Sequence, residues 1–500
     1  MSEHFISRKD AEGDLLSAAA FLGENIKSAD GHAEAMKAIV PIYLAAGNVD
    51  LAAELANEVG EPFSRDKLLT LIAEKCAEID DDEYALQLAD AIEDQGLQAQ
   101  AFERIALVKA ARGQAEKARE IANTMVHPDF VLGGIAVDQA AKGNDAAALQ
   151  TIESIDFPTA KVAALQQIAS AKIQSGDTAK ASDMLDIAAA AANEIEHDEE
   201  KIRFLCDIGN LFIEAKRSDK SVETFDAART LAEVLDNVHR DYFLVSCAIG
   251  FLYAGSQDLA DRTLDLVTDK TQMATALLAF ARDYWKKDQK EDAVEALEEG
   301  YEIARSQRDI ETRDSRARFT LLANIAVQFA GFGKSERALE IAQDISDPDE
   351  QVSALSQIAQ VLTMLKEDDL ARQTLNMIAD EPSRLTALIA VADVKEKNDE
   401  KDAAVALLEE AATYSETVPQ LAARSNSLNE LAVRFAAHGQ LEKARALSLE
   451  NLNVISEIRD ESSQAAALAM LSIVYSEAGI EVGDEERLIV SEMLRKVQSF

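Results

Sequence analysis

The chain has 500 residues, more than one globular core accommodates, so it is either several domains or an array that grows by adding units. Hydrophobic residues reach 48% while aromatics stay at 5%, an alphabet of packed helices, and 91 Asp and Glu against 50 Lys and Arg give a formal net charge of −41. With no clustered Lys or Arg, that charge excludes nucleic acid and disfavours an anionic membrane surface, and no run approaches the roughly 18 apolar residues of a membrane span.

Residues 1–10 lack a basic stretch followed by an apolar run, so no secretion signal is expected and the cytoplasm is the expected location. Residues 11–28 form an amphipathic segment, read as a capping helix that completes an N-terminal region of residues 1–32. From residue 33 a template recurs thirteen times: an aliphatic and a small residue, a turn residue seven positions on, and a second small residue five further. The first small column runs Val40, Ala73, Ala106, Ala136, Ala169, Gly209, Ala248, Ala281, Ala326, Ala359, Ala392, Ala432 and Ser472. Twelve residues later stand Ala52, Ala85, Ala118, Ala148, Ala181, Ser221, Ala260, Ala293, Ala338, Ala371, Ala404, Ala444 and Asp484.

Each copy predicts a helix A, a tight turn and a helix B that approach closely because the residues at their crossing are small. The turns fall on Gly47, Gly113, Gly143, Gly176, Gly255, Gly333, Gly439 and Gly479, with Asp80, Lys216, Asp288, Lys366 and Asp399 substituting elsewhere. Pro62, Pro128, Pro158, Pro348, Pro382 and Pro419 lie between one helix B and the next helix A, whereas Pro41 lies in or near the start of the first helix A. Repeats 1 to 12 cover residues 33–465. Residues 466–500 hold the last repeat and a C-terminal capping helix, since end repeats need a face for water.

These columns resemble the tetratricopeptide repeat (TPR), a helix-turn-helix of about 34 residues with small residues at the A/B crossing. The resemblance spans nearly the whole chain and implies an all-α, right-handed α-α superhelix of about 13 repeats with terminal caps, a fold that holds other proteins. The sequence departs from the family pattern in three ways: aliphatics replace the early Trp, the closing Pro is often absent or shifted, and several units are long. The long units, near residues 181–197, 221–239, 293–308, 404–417 and 444–459, resemble kinesin-light-chain repeats in length and predict extended B helices. A HEAT-like solenoid is the structural alternative.

Catalytic and metal motifs fail. Gly333, Lys334 and Ser335 mimic the end of a phosphate-binding loop, yet Gln328 stands where its first glycine is required. His197 has no second histidine at helical spacing, and Cys76, Cys206 and Cys247 show no CxxC spacing, so they are read as buried reduced thiols. No catalytic, metal or cofactor residue is assigned, and no enzymatic activity is expected.

In repeats resembling this family, the A helices line the inner face. The sixth to eighth copies place Arg203, Asn210, Tyr242, Ile249, Tyr253, Arg282, Trp285 and Lys286 on what should be one strip, with Leu252 beside them. Tyr, Trp and Arg offer large contact area with a polar handle, so this strip is the candidate partner-binding site. The alternative role for Trp285 and the tyrosines is filling space between long helices. The expected function is a scaffold or adaptor for another protein or peptide, and the net charge is compatible with a basic one. A structural component that assembles through its ends and acidic surface, and a peptide-sensing regulator, are the alternatives. The sequence leaves the oligomeric state open.

Overall fold

The computed structural model describes residues 5–306 and 312–497, which are helical throughout apart from turns and one 3-10 turn at Ser415–Thr417. No strand occurs among the described residues. The chain divides into two compact units, Met1–Val108 with Lys366–Phe500, and Lys109–Leu365.

Antiparallel helix pairs build both units. Lys270–Lys286 with Lys290–Ser306 and Asp198–Glu214 with Ser218–Glu233 exemplify the second unit, and Leu421–Ala437 with Leu441–Glu457 the first. The predicted turns set these pairs. All thirteen turn residues, eight glycines and Asp80, Lys216, Asp288, Lys366 and Asp399, have φ between 60° and 87°. At twelve of these turns the next residue reaches back five positions: Gln114 N–H donates to Lys109 O at 2.8 Å and Gln289 N–H to Tyr284 O at 2.8 Å. This closure satisfies the last carbonyls of helix A. The five non-glycine turns each carry the strain of a left-handed Cβ, about 1–2 kcal/mol.

The small columns are buried. Ala73, Ala169, Ala248, Ala281 and Ala326 in the first, and Ala85, Ala181, Ser221 and Ala338 in the second, are wholly inaccessible. Asp484 is the exception; it opens the last helix, Asp484–Val497, and is exposed. That terminal helix packs on Leu441–Glu457 and Leu15–Glu24. Long B helices appear at four of the five expected places, Thr178–Ala192, Ser218–Glu233, Lys290–Ser306 and Leu441–Glu457, against eight to ten residues in Ala115–Ala122 or Asp368–Met377; at the fifth, Lys401–Thr413 has 13 residues and a 3-10 turn, Ser415–Thr417, follows it. Pro62, Pro158 and Pro348 occupy the first turn of their A helices, where the missing N–H costs nothing, while Pro41 lies inside Ala29–Ala45.

Polar side chains tie successive pairs in a fixed register. Eight positions before the column residue, Gln98 donates to Ala89, Asp90 and Ile92 O, and Gln351 to Ala342, Gln343 and Ile345 O. Arg384 reaches Asn376 and Ile378 O from the same position, and Gln464 reaches Ile455 and Ile458 O. Each thus closes the C-terminal carbonyls of the preceding B helix. One position later stand the buried carboxylates Asp66, Asp129 and Asp241. Asp66 accepts from the N–H groups of Glu93 and Asp94, Asp129 from those of Asp156 and Phe157, and Asp241 from those of Thr268 and Asp269.

The N-terminal segment differs from its expected form. Residues 15–24 are no half-wet cap: Leu15, Leu16, Ala18, Ala19, Ala20, Phe21, Leu22 and Gly23 are all buried. Within the first unit, Leu15–Glu24 packs against Ala29–Ala45, Glu461–Ala478 and Asp484–Val497, so an N-terminal helix and the last two helices share one core. The apolar face that a terminal repeat would otherwise present is covered by the opposite terminus.

Cys76, Cys206 and Cys247 are buried free thiols, and the Sγ atoms of Cys206 and Cys247 lie 3.8 Å apart between neighbouring A helices.

Candidate partner-binding face

The candidate residues belong to three consecutive A helices of the second unit, Asp198–Glu214, Arg240–Tyr253 and Lys270–Lys286, each packed on the next. Counted from the column residue, positions −6, −2, +1 and +5 fall on one stripe of an α-helix, because seven and eleven residues are nearly whole turns. Burial follows this count. Arg203, Asp207, Asn210 and Glu214 are exposed, as are Tyr242, Tyr253, Thr275, Arg282 and Lys286, while Ser246, Ile249 and Ala279 are half-exposed. Leu252 instead points into the core at 1% exposure.

Arg203, Asn210, Tyr242, Ile249, Tyr253, Arg282 and Lys286 therefore share one face. Trp285 stands one position aside. It is half-buried, its ring stacked on Phe332 with centroids 4.2 Å apart and planes inclined by 8°, and the Lys290 ammonium lies 5.3 Å from its centroid. The packing role for Trp285 is thus occupied: it fills the gap to the next pair. Arg282 Nε donates to Gln328 Oε1 at 2.9 Å, and Gln328 in turn donates to Leu278 O, so the guanidinium is braced from below while the rest of it faces solvent. Tyr242 packs edge-on against the buried Phe243.

Asp207 is exposed, yet desolvation raises its carboxyl above the ordinary range, with Arg203 pulling the other way. Burial likewise raises the Tyr253 hydroxyl, with Arg282 opposing. Beside Arg203 a recess of about 550 Å³ is lined by His197, Asp198, Glu199, Glu200, Leu235 and Phe243.

The same register extends the face beyond the residues singled out from sequence. Phe130, 53% exposed, occupies position −6 of its helix, and Met364, 58% exposed, position +5 of another. Between them the face carries Gln167, Ser170, Gln174, Thr320, Asn324, Ser353, Gln357 and Gln360. The signal for these was available: the segments 271–281, 319–333 and 351–365 contain a single charged residue in no case and no carboxylate at all.

Among the described residues no group of His, Cys, Asp and Glu could hold a metal ion, and no helix is long and apolar enough to cross a membrane. Gly333 is a left-handed turn residue with φ 67°.

The pairs have the left-handed turn, the two small columns twelve residues apart and the antiparallel packing described above. The repeats are tetratricopeptide-like. No protein-family model matches the sequence, and comparison with curated proteins finds no match. Among solved structures, the apo form of the quorum sensor NprR from B. thuringiensis is 13% identical, with 72% of this chain and 100% of that chain covered and a TM-score of 0.27. Ton1535 from Thermococcus onnurineus NA1 is 18% identical over 70% of this chain and 97% of that one, with a TM-score of 0.25. The nearly identical TPR-like repeats of a putative kinesin light chain from Podosopora anserina are 18% identical over 45% of this chain and 98% of that chain, with a TM-score of 0.23. Likeness at this level bears on neither partner nor activity.

Proposed function

We propose that the protein is a non-enzymatic, cytoplasmic interaction scaffold that holds a peptide or a helix of another protein on the exposed A-helix face of its second unit, taken as the concave face. The observation that carries this reading is the strip Tyr242, Ile249 and Tyr253 flanked by Arg203, Asn210, Arg282 and Lys286, large side chains held in one register on helices braced from behind. Apolar and aromatic groups kept in water by a rigid support are the usual anchors of a binding surface. Trp285 contributes by fixing the spacing of the helices that carry them. The net charge of −41 favours basic segments of a partner, which would lie against the carboxylates outside this strip.

Assembly through the chain's ends gains no support, because Leu15–Glu24 and Glu461–Ala478 cover one another. The test is site-specific photocrosslinking in the native cell, with a benzoylphenylalanine at position 242 or, as control, at the exposed position 223 on a B helix. A discrete crosslinked protein from position 242 and none from 223 is the expected result. The reverse pattern would move binding off the strip.

A further inference from the structure

The second unit's A-helix face is depleted of the charge that dominates the rest of the molecule. Four positions on each of its seven A helices belong to the stripe, and across them stand two carboxylates, Asp207 and Glu214, against three cations, Arg203, Arg282 and Lys286. The whole chain carries 91 acidic and 50 basic residues. A surface that evolved only for solubility would have no reason to spare one stripe.

Two of the cations are also left unneutralised. Asp283, the carboxylate next in sequence to Arg282, is buried and bridged to Lys287 at 2.5 Å. Neither Arg282 nor Lys286 forms an ion pair among the described residues, and both are exposed one helical turn apart. Arg203, by contrast, faces Glu200 at 3.5 Å and opposes Asp207. Beside the free pair lie Tyr253, whose hydroxyl feels Arg282, then Ile249 and Tyr242. The local arrangement is a two-cation patch at the end of an apolar strip.

We infer that the strip selects a partner segment opposite in sign to what the net charge suggests: an acidic, amphipathic stretch. Its apolar side chains would cover Tyr242, Ile249 and Tyr253, and one or two internal carboxylates would meet Arg282 and Lys286. This rests on the strip being the binding face. A carboxylate there gains a cation that no carboxylate of the described residues already pairs, whereas a lysine there would meet like charge, which is costly at close range. Elsewhere the negative field repels the approaching segment, and salt screens that long-range repulsion more than the short contacts. Association should therefore speed up as ionic strength rises from about 20 to about 150 mM, the opposite of a basic ligand.

The experiment selects random twelve-residue segments, displayed with linkers at both ends so that no terminal carboxylate is offered, against the full chain. Parallel selections use Arg282→Glu with Lys286→Glu, and Tyr242→Ala with Tyr253→Ala, each checked for native circular dichroism and Trp285 emission. The expected outcome is a wild-type pool enriched in Asp and Glu beside aromatic or aliphatic residues. A representative synthetic segment from it should bind the charge-reversed variant roughly tenfold or more weakly. Binders that depend on the tyrosines but are basic, or match the input composition, would overturn the charge inference and leave the strip standing. Acidic binders indifferent to both variants, or no binders, would overturn the strip as well.

Discussion

Phe225 offers the sharpest test of how the second unit is packed. Its ring, wholly buried, projects from Ser218–Glu233 between two neighbouring A helices that each carry a glycine where it passes. A Cβ built on Gly250 would lie 2.2 Å from the ring, and one built on Gly209 2.7 Å from it. In Gly250→Ala the ring would have to retreat by more than 1 Å to reach ordinary contact near 3.4 Å, and Gly209 closes the far side. Overpacking of this kind costs about 1–3 kcal/mol, while alanine gains about 1 kcal/mol over glycine inside a helix. With the ring clamped from both sides the upper figure applies, so the net loss should be about 2 kcal/mol. The assay is urea unfolding followed by the fluorescence of Trp285, which sits on the next A helix. In a Phe225→Ala background, itself about 3–5 kcal/mol less stable, the same Gly250→Ala change should reverse sign and stabilise by up to about 1 kcal/mol. Equal effects in the two backgrounds, or a neutral Gly250→Ala beside an intact Phe225, would refute the clamp.

Asp241→Asn should cost about 2 kcal/mol at pH 7, because the amide presents donors to the N–H groups of Thr268 and Asp269. Burial alone would raise the Asp241 carboxyl, but its hydrogen bonds from Asp269, Thr268 and Arg240 outweigh this and hold it below the ordinary value; its contribution is present above the unfolded pKa and lost as pH falls through the folded one, so the gap between variant and wild type in urea melts should close toward pH 3. Phe332→Leu should remove the stack on Trp285 at a cost of about 1 kcal/mol and red-shift the single tryptophan's emission, and an unchanged spectrum would contradict the packing role. Phe21→Ala, in the first unit, should cost about 3–5 kcal/mol and speed amide exchange in residues 465–475, far away in sequence; exchange confined to the N-terminal segment would contradict the shared core.

Most of the repeat was legible because its determinants are local. A left-handed residue seven positions after a small one fixes the hairpin, and spacing alone located Asp80, Lys216, Asp288, Lys366 and Asp399, whose side chains do not advertise a turn. The extended B helices followed from the intervals between copies. What escaped depends on contacts across the array. The glutamines and arginines eight positions before the column recur in the sequence, yet nothing in their identity says that they turn back to the carbonyls of the preceding helix. Asp241 and Thr268 meet across 27 residues. The stack of Trp285 on Phe332, 47 positions on, was likewise invisible in the sequence. Phe130 and Met364 were missed for the opposite reason: their register put them on the face, while their neighbours lacked the residue types being sought.

The burial of Leu15–Glu24 changes what such an array leaves available. In a linear solenoid each end repeat exposes one interface and must be made polar or be covered by a partner, which makes the ends natural points of assembly and the first places to fray. Here the helix at one terminus supplies the covering for the other, and the residues that do so, Leu15, Ala19, Phe21 and Leu22, are as buried as any core. The B helices and turns carry most of the carboxylates, whose mutual repulsion and hydration oppose close contact with like-charged neighbours. Large apolar groups kept in water, beside cations kept free of carboxylates, then concentrate on the A helices at Tyr242, Tyr253, Arg282 and Lys286. On the proposed reading, burying that face against a partner would take these groups out of water with little loss of charge hydration.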